Sequence, residues 1–483
     1  MYSDLISVRD FGALPDGKTD CSSAIKQALA QIPCGGTLYF PRGEYLVEQP
    51  VTISISHLKM VGDGRQSHII YTYDQKDSDS DKSSSLFYFP SGTNDIRISE
   101  LQIEYRGRFF EKLGESYSGK ISAFYFSACD DVVVEKIEIF GFNANGIFIN
   151  GTPDNYAKRC IIDKCYLHHN RVAGVLYGYV DGISLTNNAF EYHGSPYDGG
   201  TGYGCAGWSG GMPKNIQVIG NRASYNYRKG IDLHAGESAV IEGNICDNNL
   251  LYGIYVEGPN TKNAIIRGNI ISNMVCERLP YNATYNWNMA ISFGVYSETK
   301  DTSLDRNYII NDNEILNFSF TEGDAWPIYA YYSQTSGMIQ IKNNIIRAKK
   351  ITNAVALHAA VNHSFHSKVC LDISGNQIFC ERCINAPFDI DKFDSLTFRD
   401  NRFNCVGECG SPAVYIPGHE ANTIITDGNV ISCGSFVKGN HLSAENDLIT
   451  DKLIYMPLEN KNNHTVKLYG RDLINGALAR TAD

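Results

Sequence analysis

The sequence predicts an all-β chain, a right-handed parallel β-helix (β-solenoid) with a short N-terminal capping helix, and three observations carry that prediction. An apolar alternation broken by one asparagine returns again and again. The repeats lack helical periodicity. Their spacing runs from 23 to 44 residues and averages about 30. The phrase reads "LTNNAF", "VIGNRAS", "IEGNIC", "IRGNII", "INDNEI", "IKNNII", "ISGNQI", "FRDNRF" and "TDGNVI". Its recurring residues are Asn188, Asn221, Asn244, Asn269, Asn313, Asn344, Asn376, Asn401 and Asn429. Asparagine tolerates the left-handed conformation of a tight corner, and stacked asparagine amides hydrogen-bond along a solenoid axis. Each coil buries its inner face only against its neighbours.

Three segments are expected. Residues 1–50 hold an N-terminal motif and a helix, with Asp20 as its N-cap and Ala24, Ile25, Ala28, Leu29 and Ile32 on its apolar face. Such a helix would close the end of the solenoid, where strand edges and core are otherwise open. Residues 51–435 form the β-helix with long cleft-forming loops. Residues 436–483 read as non-repeating and fit a C-terminal cap or an oligomerisation segment.

Composition narrows the function classes. With 483 residues, 43% hydrophobic and 20% charged, the chain is globular with a large core. A net charge of −11 argues against a nucleic-acid partner, and no run of 18 apolar residues exists to insert in a membrane. The opening "MYSDLISVRDFGA" has neither the basic start nor the apolar stretch of a signal peptide. Most of the 14 cysteines sit singly in strand-like context, as reduced thiols do in a cytosol-assembled protein. "CERC" and "CVGEC" (Cys380, Cys383, Cys405, Cys409) approach a zinc-ribbon spacing, but a plain cysteine ladder is preferred because so large a core needs no structural metal.

A second phrase, "GIFIN", "GVLYG", "GCAGW", "GIDLH", "GIYVE", "AISFG", "PIYAY" and "AVALH", lies between the asparagines. Its second and fourth positions are mostly apolar (Ile231 and Leu233, Ile254 and Val256, Ile291 and Phe293, Val355 and Leu357), so they point inward. The third and fifth then share the outer face. They include Trp208, Asp232, His234, Tyr255, Glu257, Tyr329, Tyr331 and His358. A solvated strand face is rarely so aromatic and acidic, although His358 taken singly reads as a surface histidine. Insertions at 191–204 and 277–289, the latter carrying Trp287, would wall a groove suited to sugar rings.

Two mechanisms fit this face, and neither requires a cofactor or a metal. In glycosidic hydrolysis, the favoured reading, Asp232 and Glu257 act as paired carboxylates, His234 keeps one of them ionised, and Glu237 or Asp198 stands in reserve. With coils about 4.8 Å apart, the repeat allows the two carboxylates any separation from contact to that of an inverting pair. In uronate chemistry, a lyase or epimerase would use Arg228 or Lys229 to neutralise a carboxylate and Tyr255 to supply a proton. A non-catalytic glycan-binding protein is the third class.

Residues 8–47, "VRDFGALPDGKTDCSSAIKQALAQI" and "GGTLYFPRGEYLV", resemble the opening of pectate-lyase-superfamily β-helix proteins. Residues 230–249, "GIDLHAGESAVIEGNICDNN", are similar to the mannuronan epimerase active-site phrase, which implies functional roles for Asp232 and His234. The family's tyrosine is absent, its place before Gly230 taken by Lys229. The whole resembles phage tailspike depolymerases. That resemblance implies a bacterial capsular or exopolysaccharide as partner, a homotrimer, and a virion tail assembled in the bacterial cytoplasm. A secreted bacterial enzyme is the alternative.

Overall fold

In a computed structural model the chain is a right-handed parallel β-helix, nearly all of it short parallel strands. The residues described are all except 1–3, 77, 110–118, 196, 198–199, 209, 259–260, 277–286, 295–304, 321–322, 333–335, 360–367, 392, 412, 417–422, 439–453, 456–464, 469–471, 475–476 and 479–483. Two compact units divide the chain, the first Met1–Ala239 and the second most of the residues from Val240 onward. In each, a coil gives one strand to each of three parallel sheets.

In the first unit, one sheet runs through Val132–Glu135, Ala157–Asp163, Val180–Thr186 and Lys214–Ile219 in parallel register. A second runs through Glu138–Phe140, Tyr166–His168, Ala189–Glu191 and Arg222–Ser224. The third runs through Phe124–Ser127, Asn145–Asn150, Ala173–Tyr177, Tyr203–Gly207 and Lys229–Leu233. Like side chains stack along the core, as Phe89 does on Phe126 with ring centroids 4.6 Å apart. Glycine leads the third-sheet phrase for a steric reason. A Cβ at Gly146, Gly174 or Gly204 would lie 2.8, 2.6 or 2.3 Å from the carbonyl oxygen of the next glycine in the stack. Glycine at this place in the phrase is therefore a demand of the coil and says nothing by itself about chemistry.

The N-terminal helix is Ser22–Ala30, with Ala24, Ile25, Ala28 and Leu29 buried. Ile32 lies past its end. The N-cap position falls on Cys21, which offers no side-chain bond. Asp20, expected as the N-cap, stands one residue before it and accepts from the Ser22 and Glu48 N–H groups at 2.9 and 3.1 Å.

The asparagine ladder of the second unit is continuous. Asn244, Asn269, Asn313, Asn344, Asn376 and Asn401 each donate their backbone N–H to the side-chain oxygen of the next asparagine at 2.9–3.2 Å, and Asn429 donates to Asp472. In the first unit Asn188 donates to Asn221 in the same way. The left-handed corner, however, is not the asparagine. It is the residue before it: Asn187, Gly220, Gly243, Gly268, Asp312, Asn343, Gly375, Asp400 and Gly428 all have positive φ. The ladder residue is buried, and its amide has to face the core to serve the coils on either side.

In the cysteine-rich coils Cys380, Cys405 and Cys433 are register partners, as are Cys383 and Cys409. A hydrogen bond from the Cys380 thiol holds Cys405 down to about 7. Among the described residues no group of three or more His, Cys, Asp or Glu is placed to hold a metal ion.

His193 of the first unit is wholly buried and takes the Asn170 N–H on Nδ1 at 3.3 Å. Burial pushes it from 6.5 down to about 3. Between those values the unfolded chain holds the extra proton, so stability rises with pH there. It is complete above about 6.5 and is lost as pH falls towards about 3, with a slope of about 1.4 kcal/mol per pH unit. Urea unfolding across this range should lose that slope in His193→Gln. An unchanged slope would remove His193 from the acid response.

Candidate functional site

The strand Lys229–Leu233 and its neighbour Tyr203–Gly207 carry the densest chemistry of the first unit. Ile231 and Leu233 point inward and are 1% exposed, as the alternation requires. Asp232 lies on the other side of the strand yet is 0% exposed. The outer face of this strand is thus a second buried layer, not a solvated surface, which corrects the outward reading. Period two distinguishes the sides of a strand, but it cannot say that both are covered.

Asp232 is held from two directions. Lys229 Nζ donates to its Oδ1 at 3.2 Å, and His234 Nδ1 lies 2.7 Å from its Oδ2. Lys229 Nζ also lies 3.1 Å from His234 Nε2. An ammonium donor fits the lone pair of Nε2, which assigns the imidazole proton to Nδ1, facing the carboxylate. Burial alone would raise the Asp232 carboxyl. The charges and hydrogen bonds of His234 and Lys229 outweigh that and hold it below the usual carboxylate range. Lys229 is 1% exposed, whereas 21% of the His234 side chain is open. His234 is therefore the most exposed member of the network.

Sequence reasoning missed Tyr203. It is the register partner of Lys229, with its ring edge-to-face with His234 at 6.1 Å and beneath the Lys229 ammonium at 5.6 Å. Its hydroxyl donates to Gly200 O at 2.8 Å. A signal was available, since "YGCAGW" and "KGIDLH" place Tyr203 and Lys229 alike before the leading glycine. Arg228, half-buried, lies 5.8 Å from the same ring. Trp208 directly follows this strand and is 40% exposed. Glu237 begins the next strand, where its backbone N–H bonds Pro213 O and its charge acts on Tyr156. Asp198 lies outside the described residues.

The remaining candidates belong to the second unit. Glu257 is 7% exposed and accepts a hydrogen bond from Ser292 Oγ. Tyr255 is 3% exposed and packs with Leu251, Tyr252 and Met289, against Trp287, Trp326 and Tyr329. Trp287 donates its indole N–H to the Tyr252 hydroxyl at 2.7 Å. Burial, with the nearby Glu257, pushes the Tyr329 phenol well up. Tyr331 pairs with Gly294 and His358. Tyr255 is thus a packing residue with little surface to offer a proton or a sugar face. The pairing of Asp232 with Glu257 rests on the repeat phrase.

Residues 5–85 match the family described as rhamnogalacturonase A/epimerase, pectate lyase-like, and residues 122–309 match the right-handed beta helix region family. The chain is 25% identical over 349 residues to "Uncharacterized protein YclG" of Bacillus subtilis (strain 168), covering 66% of this chain and 56% of that protein. It is 27% identical over 268 residues to mannuronan C5-epimerase AlgE5 of Azotobacter vinelandii, covering 52% of this chain and 24% of the epimerase. The chain therefore spans about half the length of the first of these relatives and a quarter of the second. The mannuronan C-5 epimerase AlgE4 A-module from the same organism aligns with 82% of this chain and 95% of its own, with a TM-score of 0.45 and 16% identity. The protein is a right-handed parallel β-helix with a pectate-lyase-like N-terminal segment.

Proposed function

We propose that this chain acts on a uronate-containing polysaccharide by removing the proton α to the uronate carboxylate, ending in β-elimination or C5 epimerisation. One observation carries the proposal. The carboxylate that the described residues place in the first-unit network, Asp232, is fully buried and doubly paired, so it orients the imidazole and the ammonium and does not reach a glycosidic oxygen itself. Relatives named as mannuronan C5-epimerases and as an alginate lyase support the same class.

The geometry supports the following roles. A substrate carboxylate draws the Lys229 ammonium and the Arg228 guanidinium, and its neutralisation acidifies the C5 proton. The move frees His234 Nε2, which takes that proton while Asp232 stabilises the resulting imidazolium. The electron pair left on C5 is delocalised into the carboxylate. It then either expels the C4 oxygen, which takes the Tyr203 phenol proton, or is reprotonated at C5 on the opposite face by that phenol. Tyr203→Phe is expected to lower turnover by about 10²-fold or more with little change in KM. An unchanged kcat would remove Tyr203 from the chemistry.

Hydrolysis by Asp232 and Glu257 is the second reading, supported by the buried Glu257 carboxylate with its Ser292 hydrogen bond. A panel of polymannuronate, polygalacturonate and capsular polysaccharides, assayed for unsaturated uronate and for reducing ends, separates the two. Reducing ends alone would favour hydrolysis. Binding without either product and without exchange of the C5 proton would favour a glycan-binding protein. The tailspike-like setting belongs to the same proposal, and light scattering at three chain masses is its expected result.

A further inference from the structure

The second unit contains a cluster that the chemistry above does not use. Tyr329, Ala356 and Asp389 are register partners on three successive strands, Asp324–Tyr332, Val355–Ala359 and Phe388–Ile390, so only a methyl side chain separates the phenol from the carboxylate along that row. His358, two residues beyond Ala356, places Nε2 3.4 Å from Asp389 Oδ2 and stands edge-to-face with Tyr329 at 5.5 Å. Trp326 also packs on Tyr329, with ring centroids 5.1 Å apart. Asp389 is 9% exposed, and its second oxygen, Oδ1, is buried with no hydrogen-bond partner among the described residues.

A buried carboxylate oxygen without a donor is uncommon, because ionised carboxylates accept hydrogen bonds and nothing else. The group missing here is a donor. The Asp389 charge repels an anionic ligand, and the adjacent tyrosine suits the C–H face of a sugar. We infer that Asp389, His358 and Tyr329 form a subsite for an uncharged sugar unit, one of whose hydroxyls donates to Asp389 Oδ1. The inference rests on the reading of the chain as a polysaccharide-acting protein. It adds that the polymer carries neutral residues as well as uronates.

Calorimetric titration of the intact chain with cellotetraose, maltotetraose, xylotetraose and a mannuronate tetramer tests it, alongside Asp389→Ala and Asp389→Asn. At least one neutral tetramer should bind the wild type. Asp389→Ala should weaken that binding at least tenfold, and Asp389→Asn, which keeps an acceptor oxygen, should weaken it less. Thermal unfolding of Asp389→Ala should match or exceed the wild type, since the substitution removes an orphaned acceptor. Equal binding by Asp389→Ala, binding of the mannuronate tetramer alone, or no binding by the wild type would each overturn the subsite. If polyuronates are not turned over while a neutral tetramer still binds through Asp389, the proposed chemistry fails and the subsite stands.

Discussion

Asp232→Asn is expected to lower turnover by about 10³-fold, within the range that a positioned acid–base group contributes. The substitution keeps the side chain's shape and removes its charge. Lys229, 1% exposed, then loses the anion that balances it, and His234 loses the carboxylate that fixes its tautomer and stabilises its protonated form. Breaking a buried pair from one side also costs about 3 kcal/mol of stability, so turnover and thermal unfolding are measured on the same preparation. The sign with pH follows from the depressed Asp232 carboxyl. Its contribution is present above the unfolded value of 3.8 and is lost as pH falls through the lower folded value. A variant that keeps wild-type kcat would contradict the role assigned to the network.

Asn344→Ala carries the largest expected effect on stability. The Asn344 amide nitrogen donates to Ile310 O at 2.8 Å and to Asn376 Oδ1 at 3.0 Å. Its oxygen accepts from the backbone and side-chain nitrogens of Asn313, both at 3.0 Å. Alanine would remove all four of these bonds, at about 1 kcal/mol each, and leave the buried Asn313 N–H without its acceptor. A loss of roughly 4 kcal/mol in denaturant unfolding is expected on that count. A change below about 1 kcal/mol would mean that water replaces the amide. Asn344→Asp is the informative companion. It keeps the acceptor and removes the donor, so it should fall between alanine and wild type.

The ladder was legible because asparagine is costly to bury and returns at a fixed place in every coil. The inward positions were legible for a similar reason, as Ile231, Leu233, Ile254 and Val256 alternate with polar or aromatic partners and are all buried. Two things were not. The left-handed residue before each asparagine varies among Gly, Asn and Asp, so the repeat drew attention to its neighbour. The covering of the outer face was hidden as well, since the same aromatic and charged residues would serve an open groove or a second packed layer. Tyr255 belongs to such a layer. Asp232 and His234 were legible as a pair at i and i+2. The third member, Lys229, reads in sequence as a cation for a substrate carboxylate, and only three-dimensional contact reveals it as the buried bridge between them.

The most direct test is incubation of polymannuronate with the wild-type chain in deuterium oxide, followed by nuclear magnetic resonance of the polymer. Proton removal at C5 predicts deuterium at that carbon or unsaturated uronate ends, both abolished in His234→Ala. New reducing ends with neither deuterium nor unsaturation would contradict the account and return Asp232 and Glu257 to the centre as hydrolytic carboxylates.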